Sequence, residues 1–459
     1  MTRLSGGLID RSQALSFSFD GKSYGGHPGD TLASALLASD VRLMGRSFKY
    51  HRPRGPLTAG SEEPNAIVEL RNGARQEPNA RATVAELYDG LNARSQNSVG
   101  SLRFDLLAVN DLLSPFFAAG FYYKTFMWPK AFWEKLYEPM IRRAAGLGSL
   151  DGQPDPDMYD KGFLHCDLLI IGAGPAGLAA ALTAGRAGAD VILADEDFLL
   201  GGRLNSETHA LGDTCGSDWA KATMAELASL TNVRVMSRTT IIGAMDHGIY
   251  GALERVSDHL REPAPGKPRQ TFWRIYTKRS LLCAGATERP IAFENNDRPG
   301  IMLGSALRSY VNRWAACPAQ DVAIFTNNDD GHRTAADLLA KGVRIAAVID
   351  SRADAPKTNL YEAFAGAVVT NSAGRLGLGS VNVRLANGET RKVACQGLGV
   401  SGGWNPNVHL TCHQRGRPQW DGDLAAFVPG GTLPPGMSVA GAAQGILSTA
   451  GALSSGAAA

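Results

Sequence analysis

Gly172, Gly174 and Gly177 stand at G-x-G-x-x-G spacing, and the acids Asp195 and Glu196 follow after a second apolar run. This residue set is suited to holding a dinucleotide. Gly172 permits a tight turn, Gly174 lets the backbone come close to a pyrophosphate, and Gly177 lets a helix pack closely on a strand. The N–H groups of the first helical turn face the phosphates together with the positive end of the helix dipole. A carboxylate at Asp195 or Glu196 accepts hydrogen bonds from the adenosine ribose and repels a 2′-phosphate, which favours NAD or FAD over NADP.

The elements that must position these residues surround them in unbroken order. Residues 167–171 form an apolar run suited to a strand buried on both faces, 175–187 a helix, and 191–194 a second strand with the acids at its carboxyl end. Asp197 reads as a solvated strand end. No residue makes a convincing catalytic acid or base, because His209, His247, His259, His332, His409 and His413 are scattered. His51 reads as a turn residue, with shaping of an interface as the alternative.

A chain of 459 residues, 44% apolar, is long enough for two or three domains. Its formal charge of +2 carries no basic stripe of the kind nucleic-acid binding needs. Six scattered cysteines without a C-x-x-C pair suit reduced thiols, each a small buried hydrophobe, and suggest neither a metal site nor a disulfide frame. The N-terminus lacks the apolar core of a signal peptide, and no run reaches membrane-spanning length, so a cytoplasmic protein is expected.

Ahead of the nucleotide unit, residues 15–19 alternate as a strand, Asp30 caps a short helix over 31–39, and strands follow at 66–70 and near 81–84. The pattern suggests a β-grasp, ferredoxin-like module over 1–95. Its iron–sulfur version needs four cysteines, and residues 1–165 contain none. Residues 96–160 form an aromatic-rich connector with Phe104, Phe116, Phe117, Phe121, Tyr122, Tyr123, Phe126, Trp128, Phe132, Trp133 and Tyr137. It reads first as a strap wrapped on the domain core, and alternatively as a surface that meets another polypeptide of a complex. The stretch 151–160 is a polar linker.

A first nucleotide-binding part over 161–315 is followed by a second over 316–415 and a return to the first over 416–459. Strands at 321–326 and 344–349 flank a helix over 333–341, but the turn TNNDDGHRTA lacks the phosphate glycines and brings Asp329 and Asp330, so this βαβ reads as degenerate. At the return, 437–441 is a strand and 442–450 starts a helix. In disulfide-reductase-like flavoproteins this turn reads Ala-Gly-Asp, and here the acid is Ala442. Its loss removes an anchor from the flavin half while the adenosine half is intact, tipping the balance toward NAD.

The phrases RSFKYHRPRGPLTAGSEEPNA (46–66), GAGPAGLAAA with ADE, AGATERPIAFENNDRPGIML (284–303) and SVAGAAQGI resemble the alpha subunits of heterotetrameric sarcosine oxidase. The resemblance implies a two-dinucleotide-binding-domain flavoprotein α/β fold behind a cluster-free β-grasp. It further implies a complex with beta, gamma and delta subunits that oxidises sarcosine, with FAD in the beta subunit, FMN at the alpha–beta interface and NAD held by this chain. The family's alpha subunit continues into a tetrahydrofolate-binding half that this sequence lacks. By motif, the implied NAD contacts are the turn from Gly172 to Gly177, Asp195 and Glu196 on the ribose, and Arg203 near the phosphates. Ile241 is placed by the adenine, and Ala442, Leu447 and Thr449 on the nicotinamide side, with Gly285 and Gly441 at the adjoining strand ends. Asp197 departs from the basic residue expected there. A subunit of an opine or amino-acid dehydrogenase, or of a cyanide-forming glycine dehydrogenase, with FAD in the same fold, is the alternative. A scaffold with a vestigial site is a third.

Overall fold

The computed structural model describes residues 3–116, 120 and 126–459; Phe117, Phe121, Tyr122 and Tyr123 of the aromatic segment lie outside the described residues. Two compact units emerge, one from Met1–Pro156 with Pro290–Ser401, the other from Asp157–Arg289 with Gly402–Ala459.

The first unit opens with a β-grasp. Strands β1 (Leu15–Phe19), β2 (Lys22–Gly26), β3 (Ile67–Leu70), β4 (Glu77–Arg81) and β5 (Leu91–Ser95) form one sheet in the order β2-β1-β5-β3-β4, with β1 and β5 parallel. Helix α1 (Leu32–Ala38) buries Leu32, Leu36 and Leu37 against it. The cap of α1 is Thr31 rather than Asp30: Thr31 and Ser34 exchange side-chain bonds with each other's backbone in a capping box. Asp30 is drawn away by Arg3, with nitrogen–oxygen distances of 2.8 and 3.0 Å, and by Ser34 at 2.6 Å. The fourth strand lies at β4, earlier than the 81–84 expected.

The second unit is built on β6 (Tyr159–Ile171), which begins inside the expected linker and extends well beyond the apolar run. Helix α2 (Pro175–Arg186), β7 (Val191–Ala194), α3 (Gly216–Ser229) and β8 (Val233–Met236) follow, then the antiparallel β9 (Thr239–Met245), β10 (Ile249–Glu254) and β11 (Gln270–Leu282). Their sheet runs β8-β7-β6-β11-β10-β9, and the stretch β8, β7, β6 and β11 is parallel, as a dinucleotide-binding fold requires.

The chain then returns to the first unit with β12 (Ile301–Leu303), α4 (Gly304–Asn312), β13 (Asp321–Thr326), α5 (Asp329–Ala340), β14 (Arg344–Asp350), β15 (Ala363–Ala365) and β16 (Gly397–Ser401). These strands form a parallel sheet, β12-β16-β13-β14-β15. The β-grasp shares a core with it: Leu36 and Leu91 lie in one cluster with Leu307, Trp314 and Ile324, and Trp314 Nε1–H donates to the Gly29 carbonyl at 2.9 Å.

In the second unit β17 (Met437–Val439) then adds to β11 in parallel. The helix expected from 442 does not start there. Gly441–Gln444 is a single 3-10 turn ended by Gly445 in the left-handed region, and α6 runs later, over Thr449–Ala458, capped by Ser448.

Among the described residues of the segment after β5, Leu102 joins the core of the first unit and Asp105 is buried against His51, whereas Phe104, Leu106, Leu112, Trp128, Met140 and Leu150 are each more than half exposed. Four of the six cysteines are buried, and burial lifts Cys166 to about 11 and Cys283 and Cys395 to about 12. Cys412 is half-buried, and Cys215, expected as a small buried hydrophobe, is exposed at the start of α3. No helix among the described residues is long and apolar enough to cross a membrane.

Candidate dinucleotide site

Each glycine of the fingerprint has a distinct environment at the mouth of β6. Gly172 has φ +102°, and a β-carbon on Gly177 would sit 1.8 Å from the Gly172 carbonyl oxygen, so α2 can cross the strand end only without a side chain there. A β-carbon on Gly174 would meet nothing within 4 Å: the space above the helix N-terminus is open. Ala176 and Gly177 head a helix whose first N–H groups have no carbonyl behind them, and Gly174 supplies no side-chain cap. A diphosphate fits this cradle.

Asp195 stands at the end of β7 and is drawn into the same turn. The Ala173 N–H donates to its Oδ2 at 2.6 Å and the Asp197 N–H to its Oδ1 at 2.8 Å. Desolvation nevertheless pushes its pKa up to about 6, with a smaller push from Asp197 and Glu196 and an opposing pull from the two N–H groups. Glu196 is exposed, and its carbonyl accepts from Arg255 at 2.6 Å. Asp197 takes the Leu199 N–H at 3.1 Å and so helps shape the turn after β7. Ile241 is buried with Ala194 and Ala443 in one apolar cluster. Two histidines lie nearby: the Ala244 N–H donates to His413 Nδ1 at 3.1 Å, and the pKa of His409 is lowered by desolvation and by His413, against the pull of Glu196.

On the other side of the turn, a β-carbon on Gly202 would lie 3.0 Å from Gly174 Cα, and the next residue is Arg203. Its guanidinium is paired with Glu207 one helical turn on, lies 5.1 Å from the Trp404 ring centre, and donates to the Leu447 carbonyl at 3.4 Å. Thr449, at the start of α6, donates its hydroxyl to Glu207 Oε2 at 3.2 Å. Gly441, φ +65°, and Gly456 let the return segment press on Ala176: added β-carbons there would stand 2.8 and 2.0 Å from its atoms. Gly285, φ +72°, borders open space, and its carbonyl accepts from the Asn407 N–H at 3.0 Å. Ala442 is half-buried between these elements.

The expected residues all lie in this unit, and eleven of them fall into three settings. Gly172, Gly177, Ala176, Gly441 and Ile241 pack; Gly174 and Gly285 border open space, with Asp195 held by N–H groups of the same turn; Arg203, Leu447 and Thr449 belong to a polar cluster. Sequence reading missed Glu207 and Trp404, although the spacing from Arg203 to Glu207 is that of a helical ion pair.

The second βαβ has the same skeleton with its site closed. Thr326, Asn328 and Gly331 occupy the three glycine positions. Gly331 keeps the packing role, for an added β-carbon would lie 2.4 Å from Thr326. Asn328 caps α5 by accepting the Asp330 N–H at 2.9 Å, and Asp350, at the end of β14, is held by His332 at 2.9 Å and Arg352 at 2.8 Å.

Comparison with known proteins agrees with this anatomy. Residues 12–98 match a family model described as a 2Fe-2S iron-sulfur cluster binding domain, and residues 167–261 match one described as FAD dependent oxidoreductase. The first module does not fit a cluster: the first cysteine of the chain is Cys166, and no metal-holding group of His, Cys, Asp or Glu occurs among the described residues. An L-proline dehydrogenase structure from P. horikoshii superposes over 100% of this chain and 74% of its own with TM-score 0.67 at 19% identity, which establishes the fold. The sarcosine oxidase alpha subunit of Rhizobium meliloti is 52% identical over 98% of this chain and 46% of its own length. That of Corynebacterium sp. (strain U-96) is 36% identical over 99% and 44%. The chain thus spans about half the length of the curated relatives it matches. An opine oxidase component from Agrobacterium tumefaciens is 30% identical, over only 40% of this chain. The chain belongs to the family of sarcosine oxidase alpha subunits.

Proposed function

We propose that this chain is the NAD-holding alpha subunit of a multi-flavin sarcosine oxidase, an oxidoreductase acting on a CH–NH donor with oxygen as acceptor. Sarcosine is demethylated oxidatively to glycine, with hydrogen peroxide and formaldehyde, or methylenetetrahydrofolate, as further products. In this reading the beta subunit holds FAD, the alpha–beta interface holds FMN, gamma and delta subunits complete a cytoplasmic heterotetramer, and the complex takes sarcosine and tetrahydrofolate. The observation that carries the nucleotide assignment is the pairing of a complete adenosine half, with Gly174 under open space and Asp195 in the turn, with Ala442 at the position of a flavin-anchoring acid. When bound, NAD supplies a tightly held dinucleotide. The chain's own residues seat its diphosphate on α2 and its ribose on Asp195.

The exposed apolar side chains between Phe104 and Leu150 support assembly with other polypeptides. The alternative of an opine or amino-acid dehydrogenase, or of a cyanide-forming glycine dehydrogenase, with FAD in the same fold, is weakened by the partial span of the opine oxidase match. A vestigial site is weakened by Asp195, whose desolvated carboxylate a scaffold has no reason to keep. The test is mass spectrometry of nucleotides released on denaturing the purified chain. NAD without flavin is expected; flavin without NAD overturns the assignment.

A further inference from the structure

The antiparallel strands β9, β10 and β11 of the second unit are apolar on both faces. Their inner face is accounted for: Tyr250, Ala252 and Ile275 are buried in one cluster with Ile241 and Met437. On the outer face Phe272, Arg274 and Tyr276 of β11 pair with Leu253, Gly251 and Ile249 of β10. On their other side they meet Lys161, Phe163 and His165 of β6. A sheet with one face in water alternates apolar with polar residues, whereas near-continuous apolar runs belong to sheets covered on both faces. The runs IYGALE in β10 and TFWRIY in β11 are of the second kind.

The outer side chains touch one another across the strands, so the patch is continuous. His165 stacks on Tyr276 with ring centres 5.1 Å apart, and Phe163 lies 6.3 Å from the same ring. The Arg274 guanidinium stands 5.8 Å from the Phe163 ring centre. A β-carbon on Gly251 would lie 3.2, 3.3 and 3.5 Å from Met245, Ile242 and Phe272, which close over the glycine and carry the patch on to β9. Four strands are spanned, about 14 Å at ~4.8 Å per spacing. Phe163, Ile242 and Met245 are nevertheless 59, 53 and 44% exposed. A joined apolar face of this kind marks a surface that another macromolecule covers.

Its charges say what covers it. The outward positions of β6 and β11 hold Lys161, Arg274 and Lys278, and their one carboxylate, Asp167, is taken by Lys278 at 2.6 Å. Among the described residues Lys161 and Arg274 have no acidic partner. A second copy of the chain is a poor occupant, because in a two-fold contact the patch meets itself and sets these cations against their own kind. We propose that the outer face of β6, β9, β10 and β11 docks another polypeptide of the complex, one that presents carboxylates around an apolar centre, with Phe163 and Arg274 as its anchors. This rests on the reading of the chain as a subunit, and the surface is distinct from the exposed segment between Phe104 and Leu150, which belongs to the other unit.

The experiment purifies the full chain, tagged in the cells that make it, with the polypeptides that stay bound in stoichiometric amount. A zero-length carbodiimide then joins each ammonium to a carboxylate in contact with it, and the joined peptides are read by mass spectrometry. Lys161 linked to an aspartate or glutamate of a different polypeptide is expected. In Phe163→Ser with Arg274→Glu the retained amount of that polypeptide should fall about tenfold or more. The variant should melt within about 2 °C of the parent, since both side chains are exposed. A partner bound with Lys161 unlinked, or retained undiminished by the variant, overturns the docking assignment and leaves the subunit reading standing. Lys161 linked to a second copy, or sedimentation of the purified chain with phosphatidylserine vesicles that the variant loses, gives the face to another occupant and likewise overturns it. A chain that purifies alone overturns the subunit reading as well.

Discussion

Replacing Asp195 by Asn should stabilise the nucleotide-free chain while weakening its hold on the nucleotide. The carboxyl pKa rises from 3.8 to about 6 in the folded protein. The folded state therefore binds the proton more tightly than the unfolded one. The stability this supplies is complete below pH 3.8 and is lost as pH climbs through 6. At about 1.4 kcal/mol per unit, ionised Asp195 costs the fold up to about 3 kcal/mol at neutral pH. The amide carries no such cost but presents an N–H₂ group to one of the two backbone donors, Ala173 or Asp197, returning about 1 to 1.5 kcal/mol. A net gain of about 1 to 2 kcal/mol remains at pH 7.5, shrinking to nothing or reversing by about pH 4. Urea denaturation of the nucleotide-free chain at the two pH values, followed by tryptophan fluorescence, measures it. A variant less stable than the parent at pH 7.5, or a difference that ignores pH, would refute the burial argument. With nucleotide present the order should invert, since ribose hydroxyls lose an ionised acceptor worth about 1.5 to 3 kcal/mol per bond.

The second and third glycines of the fingerprint should separate folding from binding. Gly177→Ala forces a β-carbon into the Gly172 carbonyl and should lower the melting temperature sharply or leave the chain insoluble. Gly174→Ala, opening onto free space, should melt like the parent yet release far less nucleotide on denaturation. His51→Ala breaks a buried pair in which Nδ1 lies 2.6 Å from Asp105 Oδ2, and should cost about 3 to 5 kcal/mol in chemical denaturation. Leu112→Ser with Trp128→Ser touches side chains each 81% exposed; it should change stability by less than about 0.5 kcal/mol and abolish co-purification with the proposed partner subunits. Asn328→Ala should cost about 1 kcal/mol through the lost cap of α5, seen in the same denaturation assay, and should leave nucleotide content unchanged.

What the sequence made legible was local. The fingerprint, its two strands and the acid after the second could be read because strand, turn and helix chemistry all lie within one short stretch around Gly172. The β-grasp was legible for the same reason, and so was the closed second turn. Errors arose where a distant partner intervened. Asp30 looks like a cap until Arg3 and Ser34 claim its carboxylate, leaving Thr31 to cap α1. The start of α6 was misplaced because Gly445 adopts a left-handed conformation that a stretch of small residues does not announce. The Glu207 cluster was invisible because Thr449 is 242 residues away in the chain.

The two nucleotide-type folds of this chain show what a site requires beyond a skeleton. Both keep the glycine that lets the helix press on its strand, Gly177 in one and Gly331 in the other, because packing demands it whatever the ligand. They part at the position that must stay empty. At Gly174 nothing fills the space above the helix, and no side chain competes for its N–H groups. At Asn328 the side chain itself takes a helical N–H, and Asp329 and Asp330 follow where a phosphate would lie. The acids diverge likewise: among the described residues Asp195 is held by backbone N–H groups and by no cation, while Asp350 is neutralised by Arg352 and braced by His332. A ribose can compete for the first carboxylate but not for the second. The second sheet shares its core with the β-grasp, and of the two turns the one at Gly174 is where the proposed dinucleotide would sit.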